Sequence, residues 1–366
     1  MEIRLLKKSD WPAIEDFNKK QYRPDHILTN KTYYDWQFDN VFNSDHDFYT
    51  SLGLFDQKKE LAGTIGLFPA PCNFFGQSTK CNWIANLIVR EDLRSLGYGC
   101  LLLKEAEMGA DIAIDHNINQ ATKPLFTKLG WRGEDIKRYI CILDTANSEK
   151  VIGQKDSGIR IVKDYDYVFS SEWKTILVDN CGQEFDEFWD KVKPKYPFSI
   201  ERSARYLNWR YTGNPLVEYC IIVSYKGNKM ASFLVLRVDP VTQGPERRNI
   251  GIKVGRIIDF VSTDEAEEHA LFESIKFCRS KGVDFMDFFL TGNFYKDALD
   301  KVGFMDCDAF PYSKMPTLLN PIDRIKRTKH NFSVKVLGGS LGKKTDELSI
   351  KDFYTTKGCG DQDRLY

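Results

Sequence analysis

"NLIVREDLRSLGYGCLLLKEAE", residues 86–107, decides the reading of the fold. It begins as an apolar strand, passes through a charged turn, tightens at Gly97 and Gly99, and continues as an amphipathic helix. A helix amino terminus carries unpaired backbone N–H groups and the positive end of the macrodipole. Glycines there let a ligand's phosphates approach those groups with no Cβ in the way. Arg94 adds a guanidinium fork at the mouth of the turn. The turn is therefore a candidate pyrophosphate cradle; the plainer reading is a strand-to-helix turn whose glycines serve chain direction. Neither GxGxxG nor GxxxxGK[ST] is present, so the common nucleotide-binding motifs fit poorly.

Composition bounds the rest. At about 150 residues per domain, 366 residues suggest two domains. Residues are 42% hydrophobic and 13% aromatic, enough to build cores. Lysine plus arginine equals aspartate plus glutamate at 52 each, so no global charge draws the chain to nucleic acid or lipid. Nine cysteines with no CxxC pair read as reduced thiols, with no disulfide frame and no metal site. The opening "MEIRLLKKSDW" lacks a signal-peptide core, and no apolar run nears the roughly 20 residues of a membrane span. These features predict a soluble cytoplasmic enzyme.

The chain repeats itself. "YYDWQFDN" (33–40) echoes "YLNWRYTGN" (206–214), placing Trp36 and Trp209 173 residues apart. The same offset relates "GADIAIDHNINQATKPLFTKLGW" (109–131) to "GVDFMDFFLTGNFYKDALDKVGF" (282–304), and "WIANLIV" (83–89) to "RIIDFVS" (256–262). "IRLLKKSD" (3–10) matches "IRIVKDYD" (159–166) at a shorter offset, which implies an insertion near 181–198. The expected organisation is a first unit at 1–147, a linker at 148–156, a second unit at 157–315 and an extension at 316–366. The extension carries a basic run, "DRIKRTKH" (323–330), read as a solvated face or a phosphate-facing one.

Within the first unit, strands are expected at 2–6, 48–56, 60–75, 81–89, 111–116 and 138–143. Helices are expected after Ser9-Asp10, at 98–109 and at 120–129, the last ended by Gly130. The fold class is α/β (α+β): mixed sheets flanked by helices, built twice.

The turn Arg94-Ser95-Leu96-Gly97-Tyr98-Gly99 resembles the acetyl-coenzyme A signature Arg/Gln-x-x-Gly-x-Gly/Ala of the GCN5-related N-acetyltransferase (GNAT) superfamily. Asn119, Thr122, Leu125, Phe126, Lys128, Gly130 and Trp131 resemble that family's later motif, and "IRLLKKSDWPAIEDF" resembles its opening. The resemblance implies two tandem GNAT-like domains, each a mixed, mostly antiparallel sheet. It implies acetyl-coenzyme A held by Leu87, Ile88, Val89, Arg94, Ser95, Leu96, Gly97, Tyr98, Gly99, Cys100, Asn119 and Phe126. The second copy has "EEHALF" (267–272) opposite the turn, with no glycine, and is expected to have lost the coenzyme.

In the family the acceptor amine attacks the thioester directly, helped by a base, by backbone N–H groups of the strand before the turn, and by an acid for the departing thiolate. Phe126 stands where the family's tyrosine acid would be, so Tyr98, Tyr139 or solvent is left for that role. Strand 81–89 offers only Asn82 and Asn86, no acid. Asp115-His116, at a strand's carboxyl end, is then the leading base candidate, against a structural Asp-His pair. His26 and His46 sit in loops and are weaker candidates.

For the acceptor, the aromatic and polar loop 21–40 suits a sugar or nucleoside, with His26, Tyr33, Trp36 and Asn86 as candidate contacts. The recurrence of tryptophan in both copies favours instead a core anchor. "DFYTTKGCGDQDR" (352–364) resembles the ending of tandem acetyltransferase-like proteins from bacterial surface-polysaccharide clusters. That implies a nucleotide-linked amino sugar as partner, with Asp361 and Asp363 able to meet its amine. Alternatives are a GNAT acting on another small amine or an antibiotic, a peptidoglycan-bridge aminoacyl transferase, and a non-catalytic binding protein. A homodimer is expected from family habit alone.

Overall fold

The computed structural model describes residues 1–119, 122–162, 169–326, 329–361 and 363. The first half supplies β1 (Glu2–Lys7), α1 (Trp11–Gln21), α2 (Lys31–Phe38), β2 (Phe48–Phe55), β3 (Leu61–Phe74), β4 (Gln77–Val89), α3 (Tyr98–Glu107), β5 (Ile112–His116), α4 (Lys123–Lys128), β6 (Arg132–Asp135), β7 (Lys137–Ile142) and α5 (Thr145–Ile152). The second supplies β8 (Trp173–Val178), α6 (Gln183–Val192), β9 (Phe198–Ile200), α7 (Ala204–Leu207), β10 (Cys220–Lys226), β11 (Lys229–Gln243), β12 (Arg248–Ser262), α8 (Glu267–Ser280), β13 (Phe285–Leu290), α9 (Lys296–Lys301) and β14 (Met305–Asp306). Beyond it lie a two-stranded ribbon, β15 (Leu318–Leu319) with β16 (Ile322–Asp323), and β17 (Asn331–Val336).

Two mixed, mostly antiparallel sheets result, each flanked by helices. The first runs β1-β2-β3-β4-β5-β17-β6, with β9 added beside β3; the second runs β14-β7-β13-β12-β11-β10-β8. Strand pleating sends alternate residues to opposite faces. Trp83 and Ile114 pack with Ile14, Phe17 and Phe38 of α1 and α2. Ile84 and Ala113 pack with Leu102, Leu103 and Phe126 of α3 and α4. A sheet covered on both faces reads as a continuous apolar run, as "WIANLIV" does.

The repeat is real, but it begins elsewhere than the sequence suggests. β8 pairs with β10 as β1 pairs with β2. α6 follows β8 as α1 follows β1, burying Phe185, Phe188, Trp189 and Val192 at helical spacing. Segment 181–198 is therefore no insertion: it carries the counterpart of α1. The apolar alternation of "IRIV" misled, because Ile159 and Val162 are buried outside any strand, Val162 donating its N–H to Ile142 O at 2.8 Å. The rest of that echo, 163–166, lies outside the described residues, as do 120–121 of the helix expected at 120–129.

The two sheets exchange strands. β7, which follows β6 in the chain, leaves the first sheet and pairs with β13 through six registered positions, Phe285↔Ile142 to Leu290↔Lys137. β17, from the extension, fills the gap it leaves, pairing with β5 and β6. The copies also meet on a local two-fold. Trp36 Nε1 donates to Trp209 O at 2.8 Å, Trp209 Nε1 donates to Trp36 O at 2.9 Å, and the rings stack at 5.6 Å. Equivalent residues making reciprocal contacts are the signature of an isologous interface, here between halves of one chain.

The basic run 323–330 is partly structural. Arg324 donates from Nε to Val151 O and from Nη2 to Lys150 O, both at 2.9 Å, so it caps the carboxyl end of α5. Residues 327–328 lie outside the described residues. No described helix is long and apolar enough to cross a membrane, and the described residues hold no metal-binding cluster.

Candidate active site

β4 and β5 run parallel through four registered pairs, from Cys81↔Ile112 to Ile84↔Asp115, and then part. Two local features separate them. On β4 the register to β3 slips between Thr64↔Ile88 and Gly66↔Ala85, a bulge in which Asn86 takes a left-handed φ of 57°. On β5 the chain exits through Asn117, φ 59°, towards β17, where Ile118 N–H donates to Asn331 Oδ1 and Asn331 Nδ2 donates to Ile118 O, both at 3.1 Å. Among the described residues, no strand pairs with β4 on that side beyond Ile84. The result is a wedge-shaped split at the carboxyl ends of two parallel strands.

The glycine turn closes the mouth of this split. Arg90 ties the strand end down, with Nε on Asp92 Oδ1 at 2.7 Å and Nη2 on Asp56 Oδ2 at 3.0 Å. Arg94 Nε donates to Val89 O at 2.9 Å. Its terminal nitrogens have no acceptor among the described residues. Gly97 has φ 85° and precedes α3, which carries no side-chain cap and no acid in its first turn. The amides of Gly97, Tyr98 and Gly99 have no protein acceptor among the described residues, while Cys100 and Leu101 donate to Gly97 O. A Cβ on Gly97 would meet nothing within 4 Å, and one on Gly99 only Val89 Cγ2 at 3.9 Å. Three free amides, a free guanidinium edge and open space above them fit a diphosphate.

Of the other sequence candidates, Leu87 and Ile88 are half-buried on the open edge of β4, and Val89 is buried beside them. Ser95 (φ 70°) and the exposed Leu96 form the turn; Tyr98 and Cys100 are half-buried in the first turn of α3. Asn119 is exposed, and its carbonyl accepts the N–H groups of Thr122 and Lys123 at 2.9 Å, opening α4. Phe126 is a core residue, edge-on to Trp131 at 5.1 Å. On the opposite face, Tyr33 is fully buried, Trp36 is in the joint with Trp209, and His26 stacks on Tyr22 at 4.1 Å.

His116 and Asp115 lie where the split closes. Burial pushes His116 down to about 3, and its ring stands edge-on to Trp83 at 4.5 Å. Burial, with the charge of Asp361 added, pushes the Asp115 carboxyl well above the usual carboxylate range. A histidine so hard to protonate is a weak proton acceptor at neutral pH. It also makes stability acid-sensitive. Between about pH 6.5 and 3 the unfolded chain protonates His116 and the folded chain does not, so stability falls as pH falls through that window. His116 accounts for roughly 2–3 kcal/mol of loss by about pH 4.5. His116→Phe should flatten that part of the decline in urea unfolding at pH 7 and about 4.5; an unchanged slope would show that His116 is solvated.

The second sheet has the same split, and the chain itself fills it. β12 and β13 pair from Val254↔Phe285 to Ile257↔Phe288 and then diverge. Into the gap runs 353–358: Thr356 bridges Leu290, Thr291 N–H donates to Thr355 O at 3.1 Å, and Gly358 N–H donates to Ile258 O at 2.9 Å. α8 begins with Glu267 and Glu268 after Asp264 and Glu265, and these four carboxylates pair with Lys195, Lys226 and Lys301. Of two equivalent splits, one is open under free amides and one is closed. The sequence showed the missing glycines; it gave no sign of the plug or of Arg90's anchoring.

Residues 11–131 match the acetyltransferase (GNAT) family model. Among solved structures, the chain is similar to a GCN5-related N-acetyltransferase from Anabaena variabilis: TM-score 0.58, 10% identity, 92% of this chain and 72% of that one covered. It is similar to Saccharomyces cerevisiae N-myristoyltransferase with bound myristoyl-CoA: TM-score 0.51, 11% identity, 91% and 82% covered. It is also similar to a probable N-acyltransferase from Enterococcus faecalis: TM-score 0.58, 10% identity, 92% and 72% covered. No curated protein matches the sequence. The chain has the GNAT-superfamily acetyltransferase fold, in two tandem copies.

Proposed function

We propose that this chain is an acetyl-coenzyme A-dependent N-acetyltransferase with one working site, in the first copy. The observation that carries the reading is the contrast between the splits: amides of Gly97, Tyr98 and Gly99 with no acceptor among the described residues at one, the chain's own segment at the other. The diphosphate is held by those amides and Arg94. The pantetheine follows Leu87–Val89 into the split, between α3 and Asn119. Val89 turns its C=O, and so its N–H, away from β3 towards the open side. That amide is available to the thioester oxygen, where charge develops in the transition state. Trp83 and His116 fill the floor of the split, which favours a short acyl group.

The acceptor we infer is an amino group on a nucleotide-linked sugar, as in bacterial glycan synthesis. The resemblance of the ending 352–364 supports it, although 362 and 364 lie outside the described residues. Thiol release from acetyl-coenzyme A, measured against nucleotide amino sugars, amino acids and polyamines, tests the reading. Turnover should rise selectively with one class of nucleotide amino sugar. Selective turnover with polyamines or amino acids would replace the acceptor; no release with any amine would remove the activity.

A further inference from the structure

The segment that plugs the second split does not stop there. Past Gly358, whose carbonyl accepts from Tyr206 Oη and Arg210 Nε at 2.9 Å, it runs to the back of the first split. Arg202 anchors the crossing. Its guanidinium pairs with Asp259 at 3.0 Å and reaches Cys359 Sγ at 3.3 Å. On the far side Arg237 Nη1 donates to Asp363 O at 2.6 Å, and Tyr219 donates to the Asp363 carboxylate. Between these anchors the backbone grazes the floor of the split. Gly360, at φ 82°, is so close that a Cβ would collide with the indole of Trp83. The Trp83 Nε1–H there is buried and has no acceptor among the described residues.

The geometry points to Asp361 as the group that receives the acceptor's ammonium and takes its proton. This rests on the acetyltransferase reading above. Asp361 is 6% exposed and directly follows Gly360, whose neighbour Trp83 packs on the face of the sheet away from α3. The coenzyme would enter from the α3 side and the amine from the tail side, so the two meet across the split. Burial first, and the charge of neighbouring Asp361 second, push the Asp115 carboxyl well above the usual carboxylate range. The Trp83 N–H, with no acceptor among the described residues, can donate to an oxygen of the acceptor.

The step balances without another reagent. One ammonium proton passes to the Asp361 carboxylate and on to solvent. The freed lone pair bonds to the thioester carbon, and the C–S bond breaks with its electrons going to sulfur. The second N–H proton passes to the sulfur, leaving amide and thiol. Strand 81–89 has no acid because the carboxylate arrives from the other end of the chain.

The test compares two small nucleophiles on the full-length protein. Methylamine is protonated at neutral pH and needs a base; hydroxylamine is largely neutral there and does not. Asp361→Asn should lower methylamine-dependent thiol release by about 100-fold and the hydroxylamine reaction by less than about 10-fold. Acetyl-coenzyme A affinity should be unchanged by calorimetry. Asp361→Glu, which keeps the carboxylate, should recover much of the methylamine rate and guards against a folding defect. Equal losses with both nucleophiles, full methylamine activity in Asp361→Asn, or no amine-dependent release by wild-type protein that binds acetyl-coenzyme A would overturn the assignment. Failure of wild-type protein to bind acetyl-coenzyme A would instead overturn the acetyltransferase reading.

Discussion

Gly99→Leu should abolish acetyl-coenzyme A binding while leaving the protein at least as stable. Gly99 is the second residue of α3, and glycine in a helix costs about 0.8 kcal/mol relative to a good helix former. A Cβ there has room, its nearest neighbour being Val89 Cγ2 at 3.9 Å. A leucine side chain must then occupy the space above the amides of Gly97, Tyr98 and Gly99. Affinity should fall by at least about 100-fold, roughly 2.7 kcal/mol, with the melting temperature unchanged or raised. Calorimetry and a thermal melt on the same sample separate the two effects. Retained affinity would mean that the coenzyme does not use this turn. Gly97 is the poorer test, because its φ of 85° would strain any other residue there.

The second large effect concerns the exchanged strands. A fragment ending in the loop after α5, residues 1–153, should not fold alone. It lacks β17, leaving both the facing edge of β5 and β6 unpaired, and it carries β7 with no β13 to join. Unpaired apolar edges template aggregation. The complementary fragment, 154–366, has the converse defect. Each should aggregate when expressed singly, and the two together should form a soluble complex that elutes near the size of the intact chain. A cooperative unfolding transition from 1–153 by itself would show that the exchange is dispensable.

The same exchange explains what the sequence could reveal. The glycine turn, the strands on either side and the offset of 173 residues are local patterns, and local patterns carry strand and helix periods plainly. "RYICIL" announces a strand just as plainly, but nothing in its alternation says which sheet it joins; that depends on partners 140 residues or more away, such as Met286 opposite Cys141. Segment 181–198 looked like an insertion because "IRIV" offered a better textual match to the first strand than "WKTILV" does. The structure places the edge strand by its pairing to β10, not by resemblance. Trp36 and Trp209 could be read as joint or as acceptor contacts; only the reciprocal indole–carbonyl bonds put them in the joint. Residue type alone favours His116 as a base, but its burial against Trp83 is a tertiary property. The tail's path, ending with Asp361 beside the first split, could not be read from residues 352–364 alone.

The central claim is that one split accepts the coenzyme and the other is closed by the chain. Titration of the full-length protein with acetyl-coenzyme A in a calorimeter tests it most directly. One site per chain, lost in Gly99→Leu, is the predicted result. Two sites per chain, no heat at all, or one site that survives Gly99→Leu would contradict it.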